Sequence, residues 1–128
     1  RMKTSENNGH YSRIEKGTSI KGNIKSKTDI RLDGELDGNV STSGKVIIGR
    51  EAVVKGKIQC EQLDIEGQFT GELVARGILN LKGTAVLEGT VSIGKLIVES
   101  GANFNATCKM NGGKETLMSI AEKDEKTA

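Results

Sequence analysis

Apolar residues spaced by two recur along the chain in a fixed frame. The pairs Ile30/Leu32, Val46/Ile48, Leu63/Ile65, Leu79/Leu81 and Leu96/Val98 open at positions 30, 46, 63, 79 and 96, in steps of 16, 17, 16 and 17. Spacing by two puts both members of a pair on one face of a β-strand. After a pair, a second apolar residue stands ahead of an x-Gly-x step, as in Leu36-Asp37-Gly38-Asn39-Val40, Val54-Lys55-Gly56-Lys57-Ile58, Phe69-Thr70-Gly71-Glu72-Leu73 and Leu87-Glu88-Gly89-Thr90-Val91. An earlier copy, Ile20-Lys21-Gly22-Asn23-Ile24, is opened by Ile14, and a last copy reads Phe104-Asn105-Ala106-Thr107-Cys108. Shifting the chain by 33 lays Val46, Ile48, Ala52, Val54, Gly56 and Ile58 on Leu79, Leu81, Ala85, Leu87, Gly89 and Val91. A fixed period of this length marks a repeat architecture.

The repeat predicts the fold class. Apolar pairs are separated by polar, Gly-containing corners such as Asp33-Gly34-Glu35, Glu66-Gly67-Gln68 and Lys82-Gly83-Thr84, with a further corner at Gly44, Gly77 and Gly94. Glycine is expected there because tight corners often need positive φ. Each coil reads as three short strands and three bends. A single coil cannot bury its own inward face, so coils stack and share a continuous aliphatic column. The expectation is an all-β, single-stranded triangular β-helix, a solenoid of about six coils between residues 14 and 110. Periodicity leaves its hand open. Charged or polar residues fall at outward positions, among them Lys25, Arg31, Asp37, Lys57, Asp64 and Glu72.

Composition sharpens this picture. There is no Pro or Trp, and the aromatics are Tyr11, Phe69 and Phe104, so Ile, Leu and Val must fill the column. The net charge of +2 gives no strong pull toward nucleic acid. Residues 1–31 carry +5, from eight Lys/Arg and three Asp/Glu, and the remainder carries −3. Residues 1–13, polar and rich in Asn and Ser, are expected to be a disordered N-terminal tail. The local positive charge is read chiefly as solvated. Residues 111–128 are expected to be a flexible C-terminal tail. Leu117, Met118, Ile120 and Ala121 could alternatively make one helical turn over the end of the column. No run reaches the length of a transmembrane helix, and two cysteines, Cys60 and Cys108, make no disulfide framework. A cytoplasmic setting is expected.

Candidate chemistry is sparse. The lone His, His10, lies in the N-terminal flank, so a Ser or Cys nucleophile in the coils lacks its usual base. Cys60 and Cys108 stand 48 residues apart without zinc-site spacing. No P-loop motif is present, and stacking aromatics for nucleic acid are missing. The expectation is a protein that is not an enzyme, with no cofactor, no metal and no nucleic-acid partner. The alternatives are a hexapeptide-repeat-like acyltransferase, opposed by the 16–17-residue steps and the lack of a histidine within the coils, and a monomeric solenoid binding module.

The stretches Gly17-Thr18-Ser19-Ile20-Lys21-Gly22-Asn23-Ile24, Asp29-Ile30-Arg31-Leu32-Asp33-Gly34, Gly44-Lys45-Val46-Ile47-Ile48-Gly49 and Gly101-Ala102-Asn103-Phe104, in this order and spacing, resemble the bactofilin family. The resemblance implies a right-handed coil and nucleotide-independent filaments made by end-to-end self-assembly. It further implies a bacterial cytoskeletal scaffold for cell shape or cell-wall enzymes, often peripheral at the inner face of the membrane. Arg1–Lys16 lacks the short apolar membrane-binding segment that family members can carry. Unblunted solenoid ends offer strand edges and an aliphatic cross-section to another copy. The polymer interface is therefore expected at Ile14, Ile20 and Ile24 at one end and at Phe104, Cys108 and Met110 at the other. For Phe104 the resemblance itself points to the contact; the plainer reading is a plug for the column.

Overall fold

The computed structural model describes residues 11–110 with their side chains and the backbone of residues 115–120. Eleven strands form one sheet wound into coils: β1 Tyr11–Ile14, β2 Ser19–Ser26, β3 Asp29–Leu32, β4 Glu35–Thr42, β5 Lys45–Ile48, β6 Val53–Cys60, β7 Gln62–Ile65, β8 Gln68–Leu81, β9 Val86–Val98, β10 Asn103–Met110 and β11 Glu115–Ile120. The described residues contain no helix. This is a β-solenoid of about six turns.

Two parallel ladders carry it. The first stacks β1, β3, β5, β7 and the C-terminal parts of β8 and β9, so that Ile30, Val46, Leu63, Leu79 and Leu96 lie in register. The second stacks β2, β4, β6, the N-terminal parts of β8 and β9, and β10. It aligns Ile20, Leu36, Val54, Phe69, Leu87 and Phe104, and likewise Ile24, Val40, Ile58, Leu73, Val91 and Cys108. Every rung puts a similar apolar residue over its predecessor, and the shared column from Ile30 to Cys108 is buried apart from the half-buried Leu96 and Val98. The hydrophobic term scales with this buried area, about 1.5–3 kcal/mol for each large aliphatic. Thr42 is the buried polar exception; its hydroxyl donates to the Thr28 carbonyl at 2.6 Å and accepts from the Gly44 N–H at 3.1 Å.

The third bend of each coil lies inside a long strand. In β4 the inward residues Leu36 and Val40 flank Gly38, whose φ is +155°. Gly22, Gly38, Gly56, Gly71 and Gly89 stack in register, all with positive φ. A Cβ at Gly56 would overlap the carbonyl oxygen of Gly38 in the rung before. At this corner, glycine answers both backbone conformation and close approach.

The corners at Gly34, Gly67 and Gly83 need glycine for another reason than the expected one. None has positive φ. A Cβ at Gly34 would instead meet carbonyl oxygens of the preceding coil, those of Thr18 and Glu15. Close stacking of coils, not torsion, excludes a side chain there.

The flanks also differ from expectation. Tyr11–Arg13, placed in the expected tail, belong to β1, in register with Asp29–Arg31. Glu115–Ile120 form β11, an antiparallel neighbour of β10, in place of a helical turn or a loose tail. Residues 1–10, 111–114 and 121–128, with His10 and Ala121, lie outside the described residues.

Candidate polymer interface at the ends of the solenoid

Among the described residues, β1 has only β3 as a neighbour and β2 only β4. Their other edges leave backbone N–H and C=O groups available for pairing. Ile14, Ile20 and Ile24 stand opposite Leu32, Leu36 and Val40 of the next coil. The three isoleucines are half-buried where their counterparts are buried, since among the described residues no coil precedes theirs. Tyr11 is 47% exposed at the rim. Ser19, Ile20, Lys21, Glu35, Leu36 and Asp37 line a shallow groove beside this edge.

Charge surrounds the N-terminal section. Lys16, Lys21, Lys25 and Lys27 are exposed. Arg31 Nε donates to Asp33 Oδ2 at 2.9 Å, and Arg13 Nε approaches the same oxygen at 3.3 Å. The hydrogen bond to Asp33 holds the Arg31 guanidinium protonated even above its ordinary range. The exposed ammonium of Lys16 lies 2.6 Å from Glu51, whose hydrogen bond pushes the Lys16 pKa up. Exposed pairs of this kind add little stability.

The C-terminal section is covered unevenly. β10 has β9 on one side and β11 on the other. Phe104 and Cys108 are 0% exposed, and Met110 is half-buried opposite Ile93. The Cys108 thiol donates to Met110 Sδ at 3.7 Å. The second face of this end is the last stretch of β9, where Leu96 and Val98 are half-buried and Ile97 is 41% exposed. The expected residues thus separate into two opposite ends, Ile14, Ile20 and Ile24 at one and Phe104, Cys108 and Met110 at the other. Sequence reasoning passed over Leu96, Ile97 and Val98, although the apolar run Leu96-Ile97-Val98 in the last such pair marks them.

Neither thiol is disposed for nucleophilic work. Burial pushes the Cys60 thiol up to about 12, an effect the nearby Arg76 only partly offsets, and burial raises Cys108 as well. Thiolate, not thiol, is the reactive form. Among the described residues, no group of three or more His, Cys, Asp or Glu is placed to hold a metal ion.

Comparison with known proteins agrees with this arrangement. The profile of the family described as "Bactofilin: Polymer-forming cytoskeletal" matches residues 12–109. Bactofilin BacO of Myxococcus xanthus (strain DK1622) is 25% identical over 92 residues, covering 72% of this chain and 73% of that protein. No solved structure gives a significant match. Because the family match runs from β1 into β10, through every stacked coil, the chain belongs to the bactofilin family.

Proposed function

We propose that this chain is the subunit of a structural filament and that it assembles end to end without nucleotide. The observation that carries the reading is the N-terminal section, with strand edges on β1 and β2 and half-covered Ile14, Ile20 and Ile24 above a continuous column. A docking copy would complete both ladders and bury these residues, each contributing up to about 1.5–3 kcal/mol. Association costs about 4–15 kcal/mol in lost freedom. The two are of comparable size, which suits an assembly controlled by concentration. Non-closing stacking of ends gives a filament. At the opposite end, Phe104, Cys108 and Met110 make up the facing section. The filament serves as a scaffold for cell shape or for cell-wall enzymes. The exposed lysines near the N-terminal end suit an anionic membrane surface, at about 1 kcal/mol per basic residue close to it.

The test is negative-stain electron microscopy of the full chain beside Ile24→Glu, with no nucleotide added. Ile24 is partly exposed, so the charge stays solvated in the single chain and the fold is kept; Phe104→Arg would instead bury a charge. Filaments in the parent and small particles in the variant are expected. Small particles in both at high concentration would overturn the proposal.

A further inference from the structure

The one antiparallel pairing in the described sheet lies at its C-terminal end, where β11 runs beside β10 with six residues in register. Phe104, Ala106 and Cys108, the buried positions of β10, stand opposite Ile120, Met118 and Thr116; Lys109 stands opposite Glu115. All other pairings are parallel. The segment that joins the two strands reads Asn111-Gly112-Gly113-Lys114, a composition suited to hairpin turns.

A second observation is independent of β11. Five rungs of the corner ladder are glycines with positive φ, and the sixth is Ala106. A positive-φ glycine in mid-strand bends the rung away from a straight course. β10 stays in register with β9 through this corner, Gly89 opposite Ala106, and differs in burying Ala106 between Phe104 and Cys108 where the other rungs leave the glycine less covered. The antiparallel partner β11 pairs across this position without a break, from Phe104 to Lys109. The last rung therefore departs from the corner rule at the edge where β11 lies.

From this we infer that β11 is a releasable cap: it occupies the β10 edge that a second copy of this chain must use, and so regulates assembly at the C-terminal end. The inference rests on the proposed end-to-end assembly. A short tether gives β11 an effective concentration in the millimolar range at that edge, so it holds the edge in dilute protein. It pairs with six residues and leaves the β9 edge, Lys95–Val98, without a further neighbour among the described residues. A docking coil would pair with both edges and displace the cap once copies are concentrated. The partner is a second copy, not an unrelated protein, because the two ladders demand matching coil spacing on two faces at once.

The experiment compares three full-length proteins by sedimentation and light scattering over a concentration series. They are the parent, Met118→Pro, and Thr107→Cys combined with Leu117→Cys. Thr107 and Leu117 are directly opposed, so oxidation can lock the hairpin, with the cross-link verified by mass spectrometry. Met118→Pro removes pairing from β11 and leaves β10 intact. Hydrogen exchange at Asn105–Lys109 in dilute protein checks the release. The expected result is a critical concentration about tenfold lower for Met118→Pro, a higher one for the oxidised double variant, and return to the parent value on reduction. Equal critical concentrations in all three, with assembly intact, would overturn the cap and leave the filament standing. No assembly in any of them would overturn the filament reading and the cap with it.

Discussion

At the N-terminal end, β1 and β2 carry a neighbour on one side, and three isoleucines remain half-covered. At the C-terminal end, β10 is held between β9 and β11, and Phe104 at the same register as Ile20 is fully buried. Among the described residues the same repeat thus ends in two ways, with open strand edges at one end and a last rung paired by β11 at the other. The difference does not come from the coil sequence, whose inward residues are alike at both ends. What differs is β11, paired with β10 beyond the last coil, and Ala106 in place of a corner glycine. A repeat specifies the column; its interruptions specify the ends.

The largest expected contrast is between equivalent positions. Phe104→Ala should cost about 3–5 kcal/mol in urea unfolding of dilute protein, whereas Ile20→Ala should cost about 1 kcal/mol, because Ile20 has less to lose. Equal losses would mean that the N-terminal section is covered in solution. Next comes the corner. Gly56→Ala should destabilise by about 3 kcal/mol, through positive φ and overlap with the Gly38 carbonyl. Ala106→Gly should cost about 1 kcal/mol, the entropic penalty alone. If Ala106→Gly stabilised the protein instead, the last rung would be an ordinary corner that prefers glycine.

Smaller effects sharpen the contrast between the interior and the rim. The Cys60 thiol keeps its proton up to about pH 12 when folded, against 9.0 for an ordinary thiol. The folded state therefore holds more protons between these values, and stability falls as pH rises through that window. Cys60→Ala should show a shallower decline than the parent between pH 9 and 12, and an indistinguishable pH dependence below pH 8. The smallest effect belongs to the rim. Lys16→Ala should leave the melting temperature within about 1 °C, since exposed ion pairs contribute little.

Much of the fold was legible because the column imposes a strict rule on the chain. Inward pairs at steps of 16 and 17 located the rungs, and the register of Phe104 with Leu36, Val54, Phe69 and Leu87 could be read from the five-residue frame they open, with Gly or Ala at its centre. The corners were legible in place but not in cause. Composition shows that Gly34 and Gly56 are both glycine, while only coordinates separate exclusion by a neighbouring coil from positive φ. The ends were hardest. Glu115–Ile120 falls outside the repeat, and an antiparallel partner obeys none of its spacing. The signal that could have revealed it was local: Asn111-Gly112-Gly113, then a short stretch holding Leu117, Met118 and Ile120. The isoleucines of the opposite end were identifiable because they sit in the first copy of the repeat that the spacing marks.

The glycine corner also restricts how such a chain can change its length over evolution. Each corner glycine sits against the carbonyl of the one before it, so inserting or deleting one residue within a side would move a Cβ into that contact and reverse which residues face inward. Duplication or loss of a complete coil keeps every contact and both ends as they were. Single-residue differences in coil length, such as the steps of 16 and 17, must therefore be taken up outside the contacting sides, while the column itself grows by whole coils of ~4.8 Å.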